Sequence, residues 1–358
     1  MTSATPSSAT PTVITIENLW KLYGPARKVK AAAAALGRGG AVKHLPTGHG
    51  VFAAVADVNL EVRRREILCV MGLSGSGKST LIRHINGLIP PTVGTVRVDG
   101  RSVQDLSAPS LRELRASQVG MVFQSASLFP HRSVLENVTF GLEVRGLPKQ
   151  AREDMAREWL ARMRLHDCAD LFPTELSGGM QQRVGLARTM VTDPDILLLD
   201  EPFSALDPII RRDLQAQFVA LVRDLNKTAV FITHDFDEAL KIADRIAVMV
   251  EGRIVQIGPP HDILMRPATP QVADFATDEL RRRHARAGDL AMGDTFGTDT
   301  PASATIRLPA AAPFADVLEA LGRDDVTIAV IAEDGSTTGH IDRGSIIRHL
   351  GGAGLSAA

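Results

Sequence analysis

The stretch ILCVMGLSGSGKSTLIRHI, residues 67–85, decides the fold of this chain. It contains a glycine-rich loop, GLSGSGKS, with the spacing G-x-x-x-x-G-K-S. The apolar run before the loop is typical of a buried strand, and the segment after it has a helical pattern. Glycines at such a junction let successive backbone N–H groups point inward at a phosphate without steric conflict. The stretch therefore predicts a nucleotide-binding domain of the α/β class.

The side chains of this loop suit a nucleotide that is bound together with a metal ion. Lys78 is expected to bridge the β- and γ-phosphates, and the Ser79 hydroxyl is expected to ligate Mg²⁺. The other loop residues expected to contact the nucleotide are Gly72, Ser74, Gly75, Ser76, Gly77 and Thr80. We therefore predict a nucleoside triphosphate and Mg²⁺ as the ligands of this loop.

Two adjacent acids, Asp200 and Glu201, stand at the end of the apolar run ILLLD. A run this apolar is expected to be a central strand, which delivers both carboxylates to the carboxyl end of the sheet. Two acids there can divide the chemistry of phosphate transfer to water. Asp200 is predicted to hold the metal through water, and Glu201 is predicted to polarise the attacking water.

A second anion site is predicted far along the chain, in the octet LSGGMQQR at residues 176–183. Ser177 stands where a helix N-cap is expected, and Gly178 and Gly179 follow it at the start of an apolar-periodic helix. An ordinary cap explains the serine but not the two glycines. The sequence therefore carries two phosphate-binding elements that differ in kind.

Composition bounds the class of protein. The chain has 358 residues, 44% hydrophobic and 23% charged, with a formal net charge of −1, which argues against a polyanionic partner held by bulk charge. No apolar run has the 18 or more residues of a transmembrane helix. Cys69 and Cys168 have neither metal nor disulfide spacing and are expected to be core residues. These features predict a cytosolic protein without a secretory signal.

Alternating strands and helices predict a mostly parallel sheet covered on both faces, with an antiparallel β edge and a helical subdomain. The last fifty or so residues predict a small α+β unit after a polar, Gly-rich linker. The expected organisation is a disordered tail at 1–12, a main domain at 13–278, a linker at 279–302 and the small unit at 303–358. Within the main domain, a basic insertion is expected at 24–50 and helical structure at about 125–192.

Six motifs occur in a fixed order: GLSGSGKST, VFQSASLFP, LSGGMQQR, ILLLDEP, SALD and FITHD. Together they resemble the ATP-binding subunit of an ABC transporter, over about residues 13 to 275. The resemblance implies a P-loop NTPase of ABC type that binds ATP and pairs head to tail with a second copy. It also explains the second anion site, because Ser177, Gly178 and Gly179 of one subunit close over the nucleotide on the partner's phosphate loop.

The resemblance implies roles for further residues, one at a time. Gln124 matches the glutamine that senses Mg²⁺ and water and couples the site to the membrane subunit, and Asp207 matches a residue that crosses the dimer interface. His234 matches the histidine that contacts the γ-phosphate. Tyr23 falls where the family stacks an aromatic ring on adenine, and Phe52, after the insertion, is the alternative.

A narrower resemblance is to the ATPases of glycine betaine, proline betaine and choline importers. It rests on the inserted segment, on MGLSGSGKST and on FSALDPIIR. It implies ATP-driven uptake through integral-membrane permease subunits and, indirectly, an extracytoplasmic solute-binding protein, with this chain at the cytoplasmic face of a bacterial inner membrane. Residues 326–350 resemble a single CBS repeat, in which Asp342 and Ser345 stand where the family has a hydroxyl and then an acid, so a dimerisation or regulatory role is favoured over nucleotide sensing.

Other functions remain as alternatives. An importer for an amino acid or a polyamine would carry the same motifs. An ABC ATPase acting on nucleic acid or ribosomes is disfavoured, because the chain has one ATPase unit, no inserted coiled coil and no excess of positive charge. We therefore expect no nucleic-acid partner.

Overall fold

The computed structural model describes residues 10–36, 50–204, 206–276, 284–291, 305–321 and 327–342. By its internal contacts the chain divides into two units, Met1–Pro260 and His261–Ala358. The predicted end of the main domain at 278 lies beyond this division. His261 groups with the second unit because its Nε2 is 3.0 Å from Oδ1 of Asp289 in that unit.

The first unit contains ten strands among the described residues. They are β1 (Thr12–Tyr23), β2 (Phe52–Arg63), β3 (Ile67–Met71), β4 (Val93–Val98), β5 (Arg101–Ser102), β6 (Val119–Val122), β7 (Ile196–Asp200), β8 (Thr228–Thr233), β9 (Arg245–Val250) and β10 (Arg253–Gly258). Its helices are α1 (Ala26–Leu36), α2 (Lys78–Ile85), α3 (Ala108–Glu113), α4 (Val134–Val144), α5 (Lys149–Arg162), α6 (Gly178–Met190), α7 (Pro208–Asp224) and α8 (Phe236–Ile242). A π-helical turn spans Leu114–Gln118, and short 3₁₀ turns span Val103–Asp105, His166–Cys168 and Pro173–Glu175.

A six-stranded sheet in the order β10-β9-β3-β8-β7-β6 forms the centre of the first unit. All neighbouring pairs are parallel except β9 with β10, as the predicted antiparallel edge requires. Every residue of β3, β7 and β8 is buried, because helices cover both faces of such a sheet. The carboxyl ends of β3, β6, β7 and β8 therefore meet at one edge.

A second, antiparallel sheet has the order β2-β1-β4-β5. The first strand, β1, continues to Tyr23 and pairs there with Phe52 of β2. The basic insertion follows Tyr23 and ends just before Phe52. Its helix α1 begins at Ala26 and places Val29, Ala32 and Leu36 against a small cluster that includes Trp20.

The predicted helical region contains α4, α5 and α6, which pack on one another. Ser133 and Glu136 form a capping box that begins α4. Gln124 lies two residues beyond β6, in the loop that leads to these helices. Within the described residues, no helix is long and apolar enough to cross a bilayer.

The second unit has a three-stranded sheet in the order β11 (Thr305–Pro309), β12 (Thr327–Ile331), β13 (Thr337–Ile341). Its helices are α9 (Pro260–Met265), α10 (Pro270–Ala273), α11 (Ala287–Leu290) and α12 (Phe314–Leu321). The sequence did not predict β11, which pairs in parallel with β12. Part of the predicted linker also differs, because Ala287 and Leu290 of α11 are buried in this unit's core. The described residues do not include 1–9 of the predicted tail, 279–283 and 292–302 of the predicted linker, or Ser345.

Candidate functional site

A cleft of about 820 Å³ lies in the first unit, and residues from both of its sheets line it. Three groups of residues line it: the phosphate loop and the start of α2, the ends of strands in the parallel sheet, and an aromatic pair in the antiparallel sheet. The first group is Leu73, Ser74, Gly75, Gly77, Lys78, Ser79 and Thr80, the second is Gln124, Glu201 and His234, and the third is Tyr23 and Phe52, with Ala54 beside them. The parallel sheet therefore supplies the polar part of the cleft and the antiparallel sheet its aromatic end.

Two glycines of the phosphate loop are required by the backbone itself. A Cβ on Gly72 would lie 2.1 Å from the Met249 carbonyl oxygen, and one on Gly77 would lie 2.0 Å from the Ala54 carbonyl oxygen. Both residues also have positive φ angles, 155° and 101°, which side chains disfavour. The loop can thus lie close against β9 and β2 only with glycine at these positions.

Lys78 is the buried cation of the cleft, with 5% of its surface exposed. Its Nζ donates to the carbonyl oxygens of Gly72 at 2.7 Å and Leu73 at 2.9 Å. Burial lowers the pKa of Lys78, while the carboxylates of Glu201 and Asp200 act in the opposite direction. The ammonium group is therefore held inside the loop, where it can bind a phosphate.

Ser76 supplies an unused hydroxyl to the same loop. Its Oγ is buried and has no hydrogen-bond partner among the residues that the structure describes. Buried hydroxyls are nearly always hydrogen-bonded, so an orphan at this place fits a ligand oxygen as its partner. Together with the buried lysine and the two glycines, it makes the loop fit a nucleotide phosphate.

The predicted metal ligands Ser79 and Asp200 are brought together. The Ser79 hydroxyl donates to Oδ1 of Asp200 at 2.7 Å, and Asp200 is almost fully buried. A hydroxyl and a carboxylate are hard oxygen donors of the kind Mg²⁺ takes alongside phosphate oxygens and water, so the pair fits that ion. Arg83, which the sequence analysis missed, places Nη2 3.4 Å from Oδ2 of Asp200. Its position one helical turn after Ser79 is the sequence signal that could have identified it.

Glu201, Gln124 and His234 form a polar cluster beside that pair. His234 Nδ1 is 3.1 Å from Oε2 of Glu201, and Gln124 Nε2 donates to the same oxygen at 3.4 Å. Gln124, predicted also as a metal ligand, thus contacts the predicted base. The backbone of Glu201 is left-handed, with φ of 47°, and its N–H donates to the Ile232 carbonyl of β8 at 3.2 Å. The carboxylate is therefore held by two neighbouring strand ends.

Tyr23 and Phe52 occupy the aromatic end of the cleft. They are direct cross-strand partners in the β1–β2 pair, and both are partly exposed, Tyr23 to 44% and Phe52 to 61%. Directly opposed residues of antiparallel strands point to the same face. The two candidate adenine-stacking rings are therefore neighbours, and one does not exclude the other.

The second anion site lies outside this cleft. Ser177 caps α6, its Oγ accepting from the Met180 N–H at 3.3 Å. Ser177 and Gly178 are exposed, and a Cβ on Gly178 would meet nothing within 4 Å. Asp207, which accepts from the Ile210 N–H at 3.1 Å, is also absent from the cleft lining. These four predicted site residues, including Gly179, are thus not brought to the chain's own phosphate loop.

Comparisons with known proteins agree with this geometry. Residues 55–204 match the family model described as ABC transporter. The chain is 44% identical to the trimethylamine N-oxide transport system ATP-binding protein of Ruegeria pomeroyi, over 92% of this chain and 95% of that protein. It is 47% identical to the glycine betaine transport ATP-binding protein of Bacillus subtilis, over 78% of this chain and 66% of that protein. A solved dimeric ATP-binding cassette, MJ0796 in a post-hydrolysis state with ADP and Pi, matches with a TM-score of 0.59 and 30% identity, covering 69% of this chain and 98% of that one.

Proposed function

This chain belongs to the ABC transporter family of ATP-binding subunits, and we propose that it powers the import of a small quaternary or related methylated amine through a membrane permease. It is an ATPase whose phosphate loop binds ATP. Relatives named for transport of trimethylamine N-oxide, of glycine betaine and of choline support the substrate class. Glycine betaine, proline betaine and choline are the solutes we put first.

The residues of the cleft divide the work of hydrolysis in this proposal. Lys78 and the loop N–H groups bind the β- and γ-phosphates, and Glu201 accepts a proton from the attacking water. His234 and Gln124 hold the Glu201 carboxylate and face the γ-phosphate. Ser79 and Asp200 hold Mg²⁺, which when bound neutralises charge on the phosphate oxygens.

The observation that carries the proposal is the separation of the two anion sites. The N-terminus of α6 has the chemistry to bind a γ-phosphate, yet it does not line the cleft of its own chain. A second copy placed head to tail brings Ser177, Gly178 and Gly179 over the first copy's nucleotide, and Asp207 to the interface. The dimeric state of the solved cassette supports this arrangement. ATP then closes the dimer and hydrolysis reopens it, which drives the permease.

The partners follow from this cycle. We place the chain peripherally at the cytoplasmic face of the bacterial inner membrane, bound to permease subunits that receive solute from an extracytoplasmic binding protein. Residues 125–146, beside Gln124, are our candidate contact with the permease. The second unit, 303–358 in the sequence analysis, is proposed as a CBS-like regulatory or dimerisation unit.

Uptake of labelled solutes tests the function. Cells lacking the chain are compared with cells given back the wild type, Glu201→Gln, or the control Glu158→Gln, whose carboxylate is exposed and forms an ion pair with Arg162. We expect glycine betaine, choline or trimethylamine N-oxide to enter with the wild type and the control but not with Glu201→Gln. Uptake of an amino-acid control instead would overturn the substrate class, and ATP hydrolysis without any uptake would overturn the transport role.

A further inference from the structure

Side chains of α6 hold the backbone of the loop that carries Gln124. Gln182 Nε2 donates to the Gln124 carbonyl oxygen at 2.5 Å. Arg188 donates to the next part of the loop, from Nη2 to the Ala126 oxygen and from Nη1 to the Ser127 oxygen, both at 2.9 Å. Three carbonyl groups of one short loop are thus bound from one helix.

The bonds to Gln124 and Ala126 are partly buried, and the bond to Ser127 is exposed. Gln182 is 6% exposed, and burial lowers the pKa of Arg188. Gly185, between them on α6, would place a Cβ 3.5 Å from the Ala126 oxygen, so helix and loop are in contact along this stretch. Ser127 has a left-handed φ of 47°, which its neighbours must maintain. A displacement of α6 is therefore transmitted to the loop.

The two ends of this connection face different nucleotides. At one end, the side chain of Gln124 contacts Glu201 in the chain's own cleft. At the other end, Ser177 caps α6, and in the proposed head-to-tail dimer it lies over the partner's nucleotide. One residue, Gln182, lies between them on the same helix and bonds directly to Gln124.

We propose that Gln182 is a positioning residue that makes the placement of Gln124 in one ATP site depend on the nucleotide in the other. Nucleotide bound under Ser177 fixes α6, and α6 fixes the Gln124 carbonyl through Gln182, with Arg188 supporting the loop beyond it. The Gln124 amide then stays on Glu201, and hydrolysis proceeds. The inference rests on the head-to-tail dimer of the proposed function.

The experiment measures how much one chain's hydrolysis depends on its partner's nucleotide. Increasing amounts of Lys78→Ala chain, up to an excess, are added to a fixed amount of purified full-length chain. This silent partner supplies its own Ser177 but binds no nucleotide on its phosphate loop. The rate per intact site is compared for the wild type, Gln182→Met, Arg188→Met and the control Arg115→Met. Arg115 also donates to backbone carbonyl groups, those of Asn86 and Gly87, both at 2.8 Å and both outside the 124–127 loop.

We expect the wild type and Arg115→Met to lose roughly 5- to 10-fold in rate per site as the silent partner replaces the competent one. Gln182→Met should start several-fold slower and change less than about 2-fold, because its two sites are already uncoupled. Nucleotide binding by Gln182→Met, measured by fluorescence, should stay within about 2-fold of the wild type, which a general folding defect would not allow.

Two results would contradict the proposal. If the hydrolysis rate per site of Gln182→Met falls as much as that of the wild type, or if the wild-type rate does not change when the Lys78→Ala partner is added, the coupling role of Gln182 is wrong. Should Gln182→Met fail to fold, Arg188→Met carries the same comparison. A wild type that neither hydrolyses ATP nor dimerises with it in the Glu201→Gln background would instead overturn the proposed function.

Discussion

The two anion-binding elements of this chain are built in opposite ways. The phosphate loop is packed against β9 and β2, and its lysine is buried and bonded to two carbonyl groups. The start of α6 is exposed, with open space above Gly178. The phosphate loop is thus held by contacts within its own chain, whereas the start of α6 is open to solvent. In the proposed head-to-tail dimer, each chain would contribute one element to each of two sites, so changes at the two elements should have different consequences.

The largest effect is expected at the phosphate loop. Lys78→Ala removes the buried cation, so ATP binding by the single chain and ATP hydrolysis should both fall by roughly 100-fold or more. Fluorescent-nucleotide binding and phosphate release measure the two quantities. Lys149→Ala, at an exposed lysine paired with Glu153, is the control and should leave both unchanged. Unchanged ATP binding by Lys78→Ala would show that the phosphate loop binds ATP without this cation.

The next effect separates binding from hydrolysis. Gly178→Glu has room for its side chain and places a carboxylate at a helix N-terminus, where negative charge favours folding. It should leave ATP binding by the single chain intact but lower hydrolysis by roughly 10- to 100-fold, because it repels the partner's phosphate. Gln150→Glu, in the first turn of α5, adds the same charge away from both sites. A loss of ATP binding by the single Gly178→Glu chain would show that the start of α6 contacts the nucleotide in the cleft of its own chain.

A third effect concerns stability beneath the phosphate loop. His84 of α2 is buried, its Nδ1 lies 2.6 Å from the Thr80 oxygen, and its Nε2 has no hydrogen-bond partner in the described part of the chain. Burial lowers the pKa of His84 to about 4, from an ordinary value of 6.5. The unfolded chain therefore takes up this proton at a higher pH than the folded chain does. Stability from this group is full above about pH 6.5 and is lost as the pH falls toward about 4.

Urea unfolding at pH 7.5 and at pH 4.5 measures that loss. Between the two values the wild type should lose roughly 2–3 kcal/mol more than His84→Leu, which has no proton to gain. The side chain of His166 is mostly exposed, so His166→Leu should behave like the wild type. Equal losses in the wild type and His84→Leu would show that the ring is accessible to water or gains a partner on protonation.

The smallest effect is expected at the aromatic end of the cleft. Tyr23→Ala and Phe52→Ala should each raise the KM for ATP by about 3- to 10-fold, since stacking on a base contributes about 1–3 kcal/mol and both rings are partly exposed. Tyr23→Phe should keep the ring and the KM. If only one alanine variant has an effect, that ring alone stacks on adenine, and the other only covers the sheet edge.

The sequence predicts the parts of the site that depend on spacing along the chain. GLSGSGKS and the acids after ILLLD place chemistry at strand ends, and parallel strands bring those ends together. It could not predict the contacts made across the fold. Nothing near Gln182 in the sequence indicates that it bonds to the Gln124 carbonyl, and β11 is a strand only because β12 pairs with it. The pattern of a helix N-cap followed by two glycines predicts an anion site at Ser177, Gly178 and Gly179, only the resemblance implies that they close over a partner's nucleotide, and their exposure is visible only in three dimensions.

The pairing of Tyr23 with Phe52 has a consequence for how this protein can change. The insertion follows the last residue of β1 and precedes the first residue of β2, and these two residues are paired with each other. Its length can therefore vary in evolution without shifting the register of either strand, and the same place can accept an engineered module. A fluorophore or a small sensor domain spliced between these two residues would stand beside the adenine end of the cleft and report nucleotide occupancy in a working transporter.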